Sequence, residues 1–158
     1  MFSVAILVSS DRAYNGVYPD KSGAYIRDKM LNEGYDVVDL TILPDDFDLL
    51  KNRLEKYVED GVNLVFTTGG TGFSERDVVP EVTKSVIDKE TPGISEAIRA
   101  KSLSITPHGM LSRAVAGIKN KTLIVNLPGS VKAVGESIDV VLPALRHGLG
   151  ILLGTADN

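Results

Sequence analysis

The sequence predicts an α/β protein: a three-layer open sheet, mostly parallel with one antiparallel hairpin, covered by helices on both faces. Three observations predict it. Short apolar runs rich in β-branched residues alternate with stretches of helical spacing, glycine or proline stands at most of the changeovers, and the loops that follow the apolar runs are long or glycine-rich. With 158 residues, 43% hydrophobic and 24% charged, the chain is of a size for one domain, residues 1–158, around one ordinary core.

Taken in order, Phe2 to Val8 is an apolar run ending at Ser9-Ser10-Asp11, a buried strand followed by a polar loop that runs to about Ser22. Tyr25, Ile26, Met30 and Leu31 keep helical spacing until Gly34, and Tyr35 to Leu43 forms the second strand. Pro44-Asp45-Asp46 turns into a helix whose positions Leu49, Leu50, Leu54, Tyr57 and Val58 share a face and which Gly61 ends. Val62 to Thr67 is a fully buried strand, and a glycine-rich loop follows it at once. Two short helices come next, about Pro80 to Asp88 and Pro92 to Lys101, with Thr91 as N-cap and Pro92 in the first helical position of the second. Ser112 to Ile118 and Thr122 to Asn126 pair as a hairpin across Lys119-Asn120-Lys121, although periodicity alone does not settle strand against helix there. From Val131, residues Val134, Ile138, Val141, Leu142, Leu145, Leu149 and Leu152 hold helical spacing, with Pro143 either kinking one helix or starting another.

Composition narrows the chemistry. The absence of cysteine excludes disulfides, zinc-thiolate sites and a thiol nucleophile. Seventeen basic against 21 acidic residues give a net charge of −4, which argues against nucleic acid or an anionic membrane as partner. No apolar stretch approaches the roughly 20 residues of a membrane span, and Met1 to Val8 lacks a signal-peptide pattern, so a cytoplasmic protein is expected. The two histidines, His108 and His147, have no metal-ligand spacing, and no Gly-x-Ser-x-Gly elbow supports serine hydrolysis.

Open sheets of this kind bind ligands beyond the carboxyl ends of their parallel strands, so the loops after strands hold the candidates. Thr68-Gly69-Gly70-Thr71-Gly72 leaves backbone N–H groups unobstructed, either as a tight turn or as an anion cradle; it matches neither the Rossmann nor the P-loop fingerprint. Asp77, five residues on, is placed either to meet a phosphate-bound Mg²⁺ or to bond backbone ahead of the next helix. Asp45 and Asp46 compete for one N-cap; if Asp46 takes it, Asp45 faces the crevice. Asp11, Arg12, Asp20 and Lys21 lie in the long first loop, as functional groups or as solvated charge.

Six motifs in order make the chain similar to the molybdopterin adenylyltransferase family, the domain that also forms the G domain of gephyrin. They are Ser10-Asp11-Arg12-Ala13 with Gly16-Val17-Tyr18; Leu43-Pro44-Asp45; Thr68-Gly69-Gly70-Thr71-Gly72 with Arg76-Asp77-Val78 and Pro80-Glu81; Thr91-Pro92-Gly93; Met110-Leu111-Ser112-Arg113; and Asn126-Leu127-Pro128-Gly129-Ser130. The resemblance implies transfer of AMP from ATP to the terminal phosphate of molybdopterin with release of pyrophosphate, Mg²⁺ as cofactor, a homotrimer, and a molybdate insertase as a potential partner. It implies Asp45 and Asp77 as catalytic and metal-organising carboxylates. It further implies that Ser10, Asp11, Arg12, the Thr68 to Gly72 loop (Thr68, Gly69, Gly70, Thr71, Gly72), Arg76, Ser112, Asn126, Pro128, Gly129 and Ser130 contact the substrates. Members that lose the Arg-Asp pair can lack the activity; this chain keeps Arg76-Asp77 and Pro44-Asp45.

The chemistry agrees with these residue types. A phosphate oxygen is already ionised near neutral pH, so no strong general base is required, and the task is to bring two polyanions together. Two rivals are a non-catalytic molybdopterin-binding or scaffold module of the same fold, and a hydrolase similar to the competence-damage family, whose members generally carry a further domain.

Overall fold

The computed structural model describes residues 1–155. Its elements are β1 (Ser3–Ser9), α1 (Asp11–Tyr14), α2 (Ser22–Asn32), β2 (Asp36–Leu43), α3 (Phe47–Glu59), β3 (Leu64–Thr68), α4 (Val79–Val86), β4 (Lys89–Glu90), α5 (Pro92–Ile105), β5 (Ala116–Lys119), β6 (Thr122–Leu127) and α6 (Val131–Leu153). A 3₁₀ turn, Pro107–Leu111, lies between α5 and β5. The strands form one sheet in the order β2-β1-β3-β6-β5-β4, with the first four parallel and β5 antiparallel to both of its neighbours, β6 and β4.

Alternation along the strands sorts the core into two layers. Val4, Ile6 and Val8 of β1, with Leu64, Phe66, Leu123, Val125 and Leu127, face Ile26 and Met30 of α2, Ile98 of α5 and Val134, Ile138, Leu145 and Leu149 of α6. Ala5, Leu7, Val65 and Ile124 point the other way, against Leu50, Leu54 and Tyr57 of α3 and Val79, Val82 and Val86 of α4. Both faces of β1, β3 and β6 are thereby buried, which is why these strands read as apolar runs, while the edge strand β2 stays partly exposed. Among the described residues no helix is long and apolar enough to cross a membrane.

Several expectations need correction in detail. The loop after β1 contains a four-residue helix, capped by the Ser10 hydroxyl, which is too short to show periodicity. Leu31 and Leu49, counted on buried faces, are 51% and 45% exposed, because each lies at the margin of its helix's apolar stripe. Ser112 is outside the hairpin, whose turn is only Asn120-Lys121, with Asn120 at φ +54. Thr91 does begin α5, but its side chain caps nothing; its carbonyl takes the Ile94 amide instead. Pro143 sits inside one continuous α6.

β1 connects to β2 on one side of the sheet, and the chain returns past β1 to β3 on the other. The connections from these adjacent strands therefore diverge, which opens a crevice at their carboxyl ends. The register levels those ends: Ser9 pairs with Leu43, Val8 with Thr68, and Thr68 with Leu127.

Candidate active site at the strand ends

A cavity of about 760 Å³ occupies this crevice. It is lined by Ser10, Asp11, Arg12, Asp45, Thr68, Gly69, Gly70, Arg76, Asp77, Gly129 and Ser130 among the residues singled out from the sequence. Both aspartates, from the loops after β2 and β3, thus open onto one space.

Asp46, not Asp45, caps α3: its Oδ1 accepts from the Leu49 amide at 3.0 Å. Asp45 is left to the crevice, and its carboxylate is fixed from below. Oδ1 accepts from the Ser9 hydroxyl at 2.5 Å and Oδ2 from the Asp11 amide at 3.2 Å. Asp11 returns the contact by accepting from the Asp45 amide at 2.9 Å and takes two further bonds from the Arg76 guanidinium at 2.9 and 2.8 Å. The Arg76 hydrogen bonds, followed by that from the Asp45 amide, hold the Asp11 carboxyl below the usual carboxylate range; Asp11 in turn pushes Arg76 up.

The glycine loop crosses over β1 at close range. Gly69 has φ +88, and a Cβ there would stand 2.4 Å from the Ser9 carbonyl oxygen; one on Gly70 would meet Val79 at 2.6 Å. Glycine is required by both backbone angle and space. Arg113 ties down the far side of this loop, with its amide on the Thr71 carbonyl, Nε on that of Gly72, Nη2 on that of Asp77 and Nη1 on Glu81. This makes Arg113 a structural strut. Asp77 accepts the Ser74 amide through Oδ2 at 3.0 Å, while its Oδ1 has no hydrogen-bond partner among the described residues.

The third wall is the turn after β6. The Thr68 hydroxyl donates to the Pro128 carbonyl and the Ser22 hydroxyl to that of Gly129, both at 2.6 Å. Ser130 caps α6 through its side chain on the Ala133 amide, so the N-terminus of a 23-residue helix opens on the cavity. Its unpaired first-turn amides favour an anion there.

Other assigned residues stay outside the cavity lining. Asn126 is fully buried: its Nδ2 donates to the Thr67 and Thr83 hydroxyls and its Oδ1 accepts from the Val115 amide, because a polar side chain buried beneath α4 must be satisfied internally. Thr71 is buried, Gly72 and Pro128 lie behind the lining, and Ser112 caps the 3₁₀ turn beyond the glycine loop. Asp20 and Lys21, open in the sequence between functional and solvated charge, line the cavity, and so do Ser9, Tyr18 and Ser22, for which the sequence offers no site role. The only signal for Ser9 was the hydroxyl pair Ser9-Ser10 closing an apolar strand.

The cavity carries four carboxylates, Asp11, Asp20, Asp45 and Asp77, against three cations, Arg12, Lys21 and Arg76. Bulk charge therefore does not attract a polyanion, and binding one relies on backbone donors, helix ends and a cation shared with the carboxylates. No group of three His, Cys, Asp or Glu residues that could cage a metal occurs among the described residues. The pair Asp45 and Asp77, with a free Asp77 oxygen, nevertheless fits Mg²⁺, which takes one or two protein carboxylates and fills its shell with phosphate oxygens and water.

Fold and crevice define a doubly wound α/β protein with a cleft at the carboxyl ends of its parallel strands, where proteins of this class bind their ligands. Residues 5–147 match the family described as a probable molybdopterin binding domain, and the chain belongs to this family of molybdenum cofactor biosynthesis proteins. It is 40% identical to the molybdopterin adenylyltransferase of Helicobacter pylori J99, over 96% of this chain and 88% of that one. It is 41% identical to gephyrin of Dictyostelium discoideum over 94% of its length, but spans only 22% of that protein. The crystal structure of the molybdopterin biosynthesis enzyme MoaB from Thermus thermophilus superposes with a TM-score of 0.92 at 39% identity, covering 98% of each chain.

Proposed function

We propose that the protein transfers AMP from ATP to the terminal phosphate of molybdopterin and releases pyrophosphate. The observation that carries this reading is the convergence of Asp45 and Asp77 on one cavity with the glycine loop and the N-terminus of α6. An oxygen of the terminal phosphate attacks the α-phosphorus of ATP; the new P–O bond forms as the bond to the departing pyrophosphate breaks. Asp45 and Asp77 would hold Mg²⁺, which supplies charge neutralisation for the phosphates and for the leaving group. Backbone donors of Gly69 and Gly70 approach the phosphates without a side chain intervening, and Arg76 and Arg12 offset the remaining charge. Ser112, just beyond the loop, would meet the pterin. A cytoplasmic location, a homotrimer and a molybdate insertase as partner belong to the same proposal and rest on the family resemblance.

A second reading is a binding module that holds molybdopterin without adenylylating it. The observation in its favour is that the chain is as similar to a protein named MoaB as to one named adenylyltransferase. Pyrophosphate release from ATP, Mg²⁺ and freshly released molybdopterin separates the two. The transferase reading expects turnover that Asp77→Asn lowers by orders of magnitude while pterin binding persists. Bound pterin with no turnover in the wild type selects the binding module.

A further inference from the structure

Asp11 occupies an unusual position for a group in a phosphate-binding cleft. An ionised carboxylate is acceptor-only, so it has nothing to donate to a phosphate and repels one. Most of its acceptor capacity is, moreover, engaged inside the protein: Oδ1 takes Arg76 Nη2 at 2.8 Å and the Asp45 amide at 2.9 Å, and Oδ2 takes Arg76 Nε at 2.9 Å. Its own amide meanwhile donates to Asp45 Oδ2. One residue of the β1 loop thereby touches the loops after β2 and after β3, the two that bring Asp45 and Arg76 to the crevice. The pair is half open to solvent, with side-chain exposures of 35% for Asp11 and 59% for Arg76, so its role lies in geometry rather than in stability.

We infer that Asp11 is a positioning residue for the transfer: it clamps the Arg76 guanidinium by its Nε and Nη2 edge and sets the Asp45 carboxylate, while itself touching neither substrate. The fork arrangement fixes the plane of the guanidinium and leaves Nη1 outside the clamp, without a hydrogen-bond partner among the described residues, to meet a phosphate oxygen. Arg76 then needs no reorientation when the polyanion arrives. The inference rests on the transferase reading for its rate consequence, but the clamp itself also acts in nucleotide binding.

Asp11→Asn is the informative change, because the amide oxygen still accepts from the Asp45 N–H while the charged fork to Arg76 is lost. Misplacing a positioned group lowers kcat/KM by roughly tenfold to a hundredfold. Combined with Arg76→Ala, the loss should be no greater than that of Arg76→Ala alone, since both remove one device. Added guanidinium ion should restore part of the activity of Arg76→Ala, where Asp11 remains to seat it, and none of that of the double variant. Losses that multiply, guanidinium that fails to restore Arg76→Ala, or equal rescue of both variants overturn the inference. The same cycle read in the Kd for ATP with Mg²⁺ keeps the two ideas apart. A wild type without turnover but with non-multiplicative losses of affinity keeps the clamp and removes the transferase; turnover with multiplicative losses does the reverse.

Discussion

Replacing Gly69 with alanine should cost more than backbone angle alone explains. An L-residue in the left-handed region costs about 1–2 kcal/mol relative to glycine. Gly61, at φ +75 with nothing within 4 Å of a built Cβ, carries that cost and no other. Gly69, at φ +88, carries it too, and its Cβ would lie 2.4 Å from the Ser9 carbonyl oxygen, about 1 Å inside ordinary contact. That neighbour is backbone, tied to β2 through the pairing of Ser9 with Leu43, and cannot rotate aside as the end of a side chain can, so overpacking adds about 1–3 kcal/mol. Urea unfolding of Gly61→Ala and Gly69→Ala side by side measures the difference. Relief of the clash by shifting Ser9 would move the hydroxyl that holds Asp45, so Gly69→Ala should also lose AMP transfer, while Gly61→Ala, far from the crevice, keeps it. Equal stability losses in the two variants, or full activity in Gly69→Ala, would refute the close-approach argument.

Asn126→Ala should lower stability by about 2–4 kcal/mol, because it empties a buried site and orphans the Val115 amide, yet leave the ATP KM of the folded protein unchanged; an unaltered urea midpoint would contradict a framework role. Burial, and then the hydrogen bond to Asp39, push the Tyr57 phenol well above its ordinary value of 10. The folded state therefore prefers the neutral phenol: its contribution is complete below pH 10 and declines as pH rises beyond it. Unfolding free energies measured between about pH 8 and about pH 11 should fall less steeply for Tyr57→Phe than for wild type, and parallel curves would contradict the assignment.

The architecture was legible because buried parallel strands leave unbroken apolar runs and because Gly34 and Gly61 mark helix ends. The division of labour at Asp45-Asp46 was legible only as an alternative, since a cap and a crevice carboxylate share one turn. What stayed hidden depends on contacts between distant segments. Ser9 looks like the last residue of a strand until Asp45 is seen 2.5 Å away, thirty-six positions later. Asn126 sits in a motif beside the crevice, but strand alternation turns its side chain into the protein. The helix α1 and the two-residue β4 are shorter than any periodicity can reveal.

A transferase cleft joins two phosphorylated molecules rather than holding one. ATP labelled at the α-phosphorus, incubated with Mg²⁺, molybdopterin and the protein, tests it most directly. The α-label should appear on the pterin in step with pyrophosphate release, label at the γ-phosphorus should never do so, and Asp45→Asn and Asp77→Asn should abolish the transfer. Molybdopterin that binds tightly and stays unlabelled would contradict it.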